Sequence, residues 1–163
     1  MLRYISPILI LLLLILLRSC TEEKENCESV LVLNKFEVGQ VWKYDNRQGE
    51  DSSTFTILKI EKYHKVFDSI NYIDTVIHIR IDKIKVHDPK SITGFSNFIE
   101  HLPCSEKTLS QSATMTLEKR TTLPEFTNSY NRWKKLYNQG KNLYWGLSIR
   151  EAISHFDSLR TTK

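Results

Sequence analysis

The stretch Tyr72-Ile-Asp-Thr-Val-Ile-His-Ile-Arg-Ile-Asp-Lys-Ile-Lys-Val-His87 decides the fold class. From residue 73 to residue 81, isoleucine or threonine occupies every second position, which is the period of a β-strand. After Asp82 and Lys83 the apolar positions shift by one, to Ile84 and Val86. A phase change of this kind predicts a bulge or a bend. The stretch therefore predicts one long strand with a buried face.

Further strand patterns surround this one. Residues 36–44 and 53–63 are rich in apolar, aromatic and β-branched residues and flank the polar segment 45–52, which predicts a hairpin. Residues 112–120 alternate and predict a fourth strand. Residues 88–103 contain Pro89, Gly94 and Pro103 and are predicted to be a loop.

The C-terminal part reads as helical. Ser105 is a predicted cap for a short helix over residues 105–111. Four aromatic residues then recur at helical spacing and predict one helix face: Phe126, Tyr130, Trp133 and Tyr137. Ser148 and Glu151 form a capping box that opens a last helix. The predicted fold is α+β, an antiparallel β-meander of three to four strands with two C-terminal helices packed on one face.

The N-terminus has the layout of an export signal. A short basic start is followed by ten apolar residues from Ile8 to Leu17, too few for the ~20 that span a bilayer. With Leu17 and Ser19 before Cys20, it resembles a bacterial lipoprotein signal. The resemblance implies lipid attachment to Cys20 and cleavage just before it. Arg18 departs from the family pattern, so an uncleaved anchor and ordinary cleavage stay open.

These features divide the chain into a signal peptide (1–19), a lipidated cysteine with a polar tether (20–34) and a single α+β domain (35–163). Glu22, Glu23 and Glu25 are similar to the acidic cluster that marks Bacteroidetes lipoproteins for the outer face of the cell. A plain solvated linker is the alternative. The expected localisation is the cell envelope, lipid-anchored, with the outer membrane or cell surface favoured.

Composition excludes several classes of function. The formal charge of +4 falls to +2 without Arg3 and Arg18, and the charges alternate in sign, so nucleic acid is not an expected partner. Of the two remaining cysteines, Cys27 and Cys104, an exported compartment permits a disulfide, with two separate thiols as the alternative. No spacing typical of a metal or cofactor site occurs, and we expect neither.

The first hairpin carries the candidate partner site. Arg47 and Glu50 lie in its loop and can pair across a turn, and Trp42 and Tyr44 precede them on one strand face. The alternative is a loop held together by its own charges. The segment Gly39 to Glu61, with later segments up to residue 119, resembles a set of uncharacterised small bacterial proteins. That resemblance supports one domain and implies no activity.

Other polar and aromatic residues have two interpretations each. His78, Arg80 and Asp82 alternate on one strand, either as a solvated face, which we favour, or as an anion-binding row. His87-Asp88 with His101 is a weak set of metal ligands. The aromatic side chains predict mainly core, with a sugar or peptide groove as the alternative: Trp42, Tyr44, Trp133, Tyr137, Tyr144 and Trp145.

Known catalytic motifs are missing from the sequence. It contains no G-x-S-x-G, no S-x-x-K and no glycine-rich phosphate loop. Cys104 near His101 is more simply a buried or bridged cysteine than a nucleophile. We therefore expect a non-catalytic binding or accessory module that is held to the membrane through Cys20 and meets an envelope protein. The alternatives are an immunity-like or inhibitor lipoprotein that blocks a toxin or cell-wall enzyme, and an unidentified hydrolase.

Overall fold

The computed structural model describes residues 35–141 and 145–161, which belong to one compact unit. The predicted signal, Cys20, the tether and Cys27 lie outside these residues. Within them, no helix is long and apolar enough to cross a membrane. The elements in chain order are β1 (Gln40–Tyr44), β2 (Thr54–Phe67), β3 (Ile70–His87), β4 (Phe95–Ser105), α1 (Glu106–Ser112), β5 (Ala113–Lys119), α2 (Thr127–Asn138) and α3 (Ile149–Thr161).

The strands form one antiparallel sheet in the order β4-β3-β2-β1-β5. Strands β1 to β4 follow one another as a meander. Helix α1 then carries the chain across to β1, where β5 pairs at the opposite edge. The α+β class and the meander are confirmed, but the described residues form five strands rather than three or four.

The additional strand is β4, in a segment predicted largely as a loop. It pairs with β3 through Ile79 opposite Leu102 and Ile77 opposite Cys104. Pro103 is tolerated because β4 is an edge strand, where a missing N–H removes no ladder hydrogen bond. The Pro103 carbonyl instead accepts a hydrogen bond from Trp145 N at 2.9 Å. The loop prediction was wrong because it treated this proline as a strand breaker.

The predicted bulge in β3 is confirmed. The pairing of β3 with β4 shifts register between Asp82 and Val86. Lys83 lies between them with a φ of 60°, in the left-handed region that bulges use. The shift lets the apolar side chains before and after it face the same core.

The helices cover both faces of the sheet, which corrects the prediction of one face. Ile77 and Ile79 are buried on one face in the core cluster that includes Leu109 of α1 and Ile153 of α3. The other face of β3 carries His78, against which Trp133 of α2 packs. Between α2 and α3 in the chain, Trp145 forms a β-bridge with Cys104 of β4. The aromatic face of α2 packs on the side of the sheet that carries His78. The sequence predicted this helix face but not the surface that it covers.

The helix starts follow the sequence closely. Ser105 Oγ accepts a hydrogen bond from Thr108 N at 3.1 Å and caps α1. At α3, Ser148 N donates to Glu151 Oε2 at 3.0 Å, and Glu151 N donates to Ser148 Oγ at 3.3 Å. Both predicted caps are confirmed, because a cap depends only on residues within one turn.

Candidate functional site

A polar network lies between the sheet and α2. Three adjacent strands contribute to it: Glu61 from β2, His78 from β3 and His101 from β4. His78 alternates with the buried isoleucines of β3, so strand geometry turns it to the opposite face. It is fully buried there, because α2 covers that face.

The three side chains form a chain of hydrogen bonds. Glu61 Oε2 lies 3.1 Å from His78 Nε2, and His78 Nδ1 lies 2.8 Å from His101 Nε2. The carboxylate can only accept, so His78 Nε2 carries a proton and the neutral ring accepts at Nδ1. His101 Nε2 must then donate, which leaves His101 Nδ1 with its lone pair. The arrangement fixes one tautomer for each ring.

Four donors hold the Glu61 carboxylate ionised. Oε2 accepts from Tyr63 Oη at 2.8 Å, and Oε1 accepts from Tyr130 Oη at 3.0 Å and Lys134 Nζ at 3.2 Å. Lys59 Nζ lies 3.5 Å from Oε1 and donates to Tyr130 Oη at 2.7 Å. Because β2 and α2 supply these groups, the network also joins α2 to the sheet.

The pKa values of the three groups differ from their ordinary values for separate reasons. Partial burial alone would raise the pKa of Glu61, but the donors from Tyr63, Lys134 and Tyr130 outweigh it and lower the pKa to about 2. Burial lowers the pKa of His78 to about 4, against the opposing effect of the Glu61 carboxylate. Burial, and secondarily the neighbouring His78, lowers the pKa of His101 to about 4. Near neutral pH the network is an anion, two neutral imidazoles and two cations.

Aromatic rings from α2 enclose the two imidazoles. The Trp133 ring lies 4.6 Å from His78 in an edge-on arrangement, and Tyr130 lies 5.3 Å from it. Trp133 also stacks on Tyr137 at 4.9 Å. These contacts confirm the predicted helix face and exclude water from His78, which explains the direction of its pKa shift.

A cleft opens beside this network, along the β4 edge between α2 and α3. Its volume is about 550 Å³. The walls are mostly apolar and aromatic, and four ionisable or charged residues contribute to the lining: Glu100, His101, Arg132 and Arg160. Trp133, Leu136, Trp145 and Phe156 supply the apolar surface. His101 therefore belongs to both the buried network and the cleft wall.

The charged side chains of the cleft differ in their bonding partners within the protein. Glu100 accepts a hydrogen bond from the Ser129 hydroxyl. Arg160 Nη1 donates to the His87 carbonyl at 3.1 Å, and its guanidinium lies over Phe156 at 4.2 Å. No residue in the described part of the chain bonds the Arg132 guanidinium. Among the described residues, the cleft lining thus includes one exposed cation, Arg132, without a bonding partner.

In the predicted partner loop, the charged side chains bond each other and the two aromatic side chains are buried. Arg47 binds Glu50 through two hydrogen bonds of 3.0 and 2.5 Å and also donates to the Lys85 carbonyl at 2.9 Å. Trp42 and Tyr44 are 7% and 4% exposed, so both rings lie in the core and offer no face to a ligand. The structure does not bring these four side chains together at the surface.

The remaining candidate residues separate as follows. Cys104 is fully buried, which raises the pKa of its thiol, and its predicted partner Cys27 lies outside the described residues. Arg80 donates to Asp82 at 2.7 Å on the half-buried face of β3. His87 lies near Asp157 and Phe95. Within residues 35–141 and 145–161 no cluster of three or more His, Cys, Asp or Glu is placed to hold a metal ion.

Sequence reasoning missed the histidine pair. The solvated-face interpretation is wrong for His78, and His101 lies on β4 rather than in a loop. One signal was available in the sequence. An aromatic stripe on α2 needs a surface to cover, and the face of β3 opposite its isoleucines is a candidate for that surface.

Comparisons with known proteins were made by family model, by curated sequence and by solved structure. No family model matches the chain, and neither a curated protein nor a solved structure matches it.

Proposed function

We propose that this chain is a lipid-anchored protein of the cell envelope whose domain binds a ligand or partner and performs no chemical step. The observation that supports a binding role is the cleft between α2 and α3. Its volume of about 550 Å³ falls within the roughly 300–1,000 Å³ typical of ligand sites. Such sites combine an apolar wall with a few placed polar groups, as this one does.

The chemistry of the histidine pair also favours binding over catalysis. A general base works best when its pKa lies near the operating pH. Burial lowers the pKa of both His78 and His101 to about 4, so each is a weak base at neutral pH. The Ser129 hydroxyl in the cleft donates to Glu100 rather than to an imidazole. The network holds residues in place around the cleft.

The membrane anchor rests on Cys20 and is tested by fractionation. We expect Cys20→Ser to release the protein from membranes, because the lipid attachment point is lost. Cys27→Ser is the matched control and should leave the protein in the membrane fraction. If Cys20→Ser stays in the membrane fraction and its N-terminus is uncut, the protein is held by an uncleaved anchor helix and not by a lipid.

The binding role is tested by crosslinking the full chain in intact envelopes, followed by affinity purification and mass spectrometry. Arg132→Glu reverses the charge of an exposed arginine in the cleft lining, and Lys135→Glu makes the same charge change at another exposed position of the same helix that does not line the cleft. We expect one enriched partner or ligand that is lost with Arg132→Glu and kept with Lys135→Glu.

Two results would contradict this assignment. Loss of the partner with Arg47→Ala and Glu50→Ala together, but not with Arg132→Glu, would move the site to the first hairpin. An enzyme would be favoured if none of these proteins enriches a partner and the purified protein shows turnover above a denatured control in a hydrolase screen.

A further inference from the structure

We infer that the cleft binds an N-acylated amino acid with an apolar side chain, either free or as the C-terminal residue of a peptide. The inference rests on the proposed binding function and names its ligand class. Three features of the cleft support it: an acceptor nitrogen with a fixed tautomer, an unpartnered guanidinium, and aromatic walls.

The acceptor is His101 Nδ1. Glu61 determines the proton position on His78, and His78 determines it on His101, so Nδ1 keeps its lone pair. No described residue donates to this nitrogen. His101 lies in the cleft wall, and its Nδ1 is not among the buried polar atoms that lack a partner, so this nitrogen is accessible and can accept a hydrogen bond from a ligand. An amide N–H is a matching donor.

The cation is Arg132. Arg160 is held by the His87 carbonyl and by Phe156, and the Glu100 carboxylate accepts from Ser129. The charged lining therefore sums to one net positive charge, and its member without a bonding partner among the described residues is the exposed Arg132 guanidinium. A guanidinium presents a planar fork of donors that matches a carboxylate in two parallel hydrogen bonds. The ligand should carry that carboxylate.

The walls accept an apolar side chain. Trp133, Leu136, Trp145 and Phe156 supply the apolar lining of the cleft. Aromatic walls favour a ring or a branched aliphatic group, with a gain beyond the buried area when rings meet edge to face. An amide N–H, a carboxylate and an apolar side chain are together the groups of an N-acylated apolar amino acid.

Three probes separate these features on the full chain purified in detergent. N-acetyl-L-phenylalanine carries all three features, its C-terminal amide lacks the carboxylate, and 3-phenylpropanoate lacks the N–H. We expect calorimetry to show binding of the first probe and about tenfold weaker binding of each of the others, because each of them lacks one hydrogen bond that the first probe makes.

Two variants test whether Arg132 binds the carboxylate of the ligand. Arg132→Gln should remove the preference for the acid over the amide, and Lys135→Gln should keep it. A peptide ending in phenylalanine that binds more tightly than the acetylated residue identifies the peptide source, and equal affinity identifies the free amino acid derivative; either supports the ligand class. Equal binding of all three probes, or an NMR spectrum with the proton of His101 on Nδ1, would overturn the inference.

Failure of the ligand class can be distinguished from failure of the binding function. If no probe binds but the crosslinked partner still depends on Arg132, the cleft binds a different chemistry and this inference is wrong. If no probe binds and no partner depends on Arg132, the proposed function fails with it.

Discussion

Acidification from pH 7 to about 4.5 should destabilise the folded domain by about 2 kcal/mol through His78 alone. The side chain is fully buried, and its pKa falls from 6.5 to about 4 on folding. The unfolded chain takes up a proton below pH 6.5, whereas the folded chain resists until about pH 4. Unfolding therefore binds protons in this interval, and stability falls as the pH falls.

His101 should add a loss in the same direction. Its pKa also falls to about 4, through burial and the nearby His78. The two rings share a hydrogen bond and titrate together, so the summed loss is about 2–4 kcal/mol rather than two independent terms. Glu61 adds to this loss only at the acid end of the range, because its pKa falls from 4.5 in the unfolded chain to about 2 in the folded one, so unfolding near pH 4.5 also binds a proton at this carboxylate.

The assay is urea unfolding at constant ionic strength, at several pH values between 7 and 4.5. We expect the midpoint to fall with pH while the slope with urea stays constant. His101→Gln should reduce the pH dependence by about half, and His64→Gln, which removes an exposed imidazole from β2, should leave it unchanged. A wild-type stability that stays flat over this range would refute the assignment of His78 as a buried neutral histidine.

Three further substitutions test other parts of the structure by urea unfolding. Trp133→Ala should cost about 3–5 kcal/mol, because the ring is 6% exposed and contacts His78 and Tyr137; a near-native midpoint would place the ring at the surface. Gly39→Ala should cost at least about 2 kcal/mol, since φ is +90° and the new Cβ would lie 2.4 Å from Arg120 O; an unchanged midpoint would show that this approach relaxes freely. Ser148→Ala should cost about 1 kcal/mol through loss of the capping box, and no loss would mean that α3 starts without it.

Local features of the fold were predictable from the sequence, and tertiary ones were not. The isoleucine alternation of β3, its bulge after Asp82 and the caps at Ser105 and Ser148 depend on neighbouring residues. The strand β4 and the placement of α2 depend on which surfaces meet. Pro103 reads as a strand breaker until its position at a sheet edge is known, because only the edge makes its missing N–H harmless.

The candidate site could be predicted only in fragments. Alternation placed His78 opposite the isoleucines, and helical spacing placed Tyr130 and Trp133 on one face. Sequence alone could not bring Glu61, His78 and His101 together, because their contact depends on the register of three strands. In the partner loop, Trp42 and Tyr44 are aromatic residues on a strand, and their burial depends on which face the core occupies.

The histidine pair connects the stability of the domain to the proposed binding site. The tautomer that places a lone pair on His101 Nδ1 exists only while both imidazoles are neutral, and the same neutrality stabilises the fold above pH 6.5. A ligand that donates to Nδ1 binds the neutral pair and not the protonated one. By linkage, such a ligand must lower the pKa of the pair further and oppose acid unfolding, and acid must weaken its binding by the same free energy. Ligand affinity and stability in acid therefore both depend on the hydrogen bonds that join Glu61, His78 and His101.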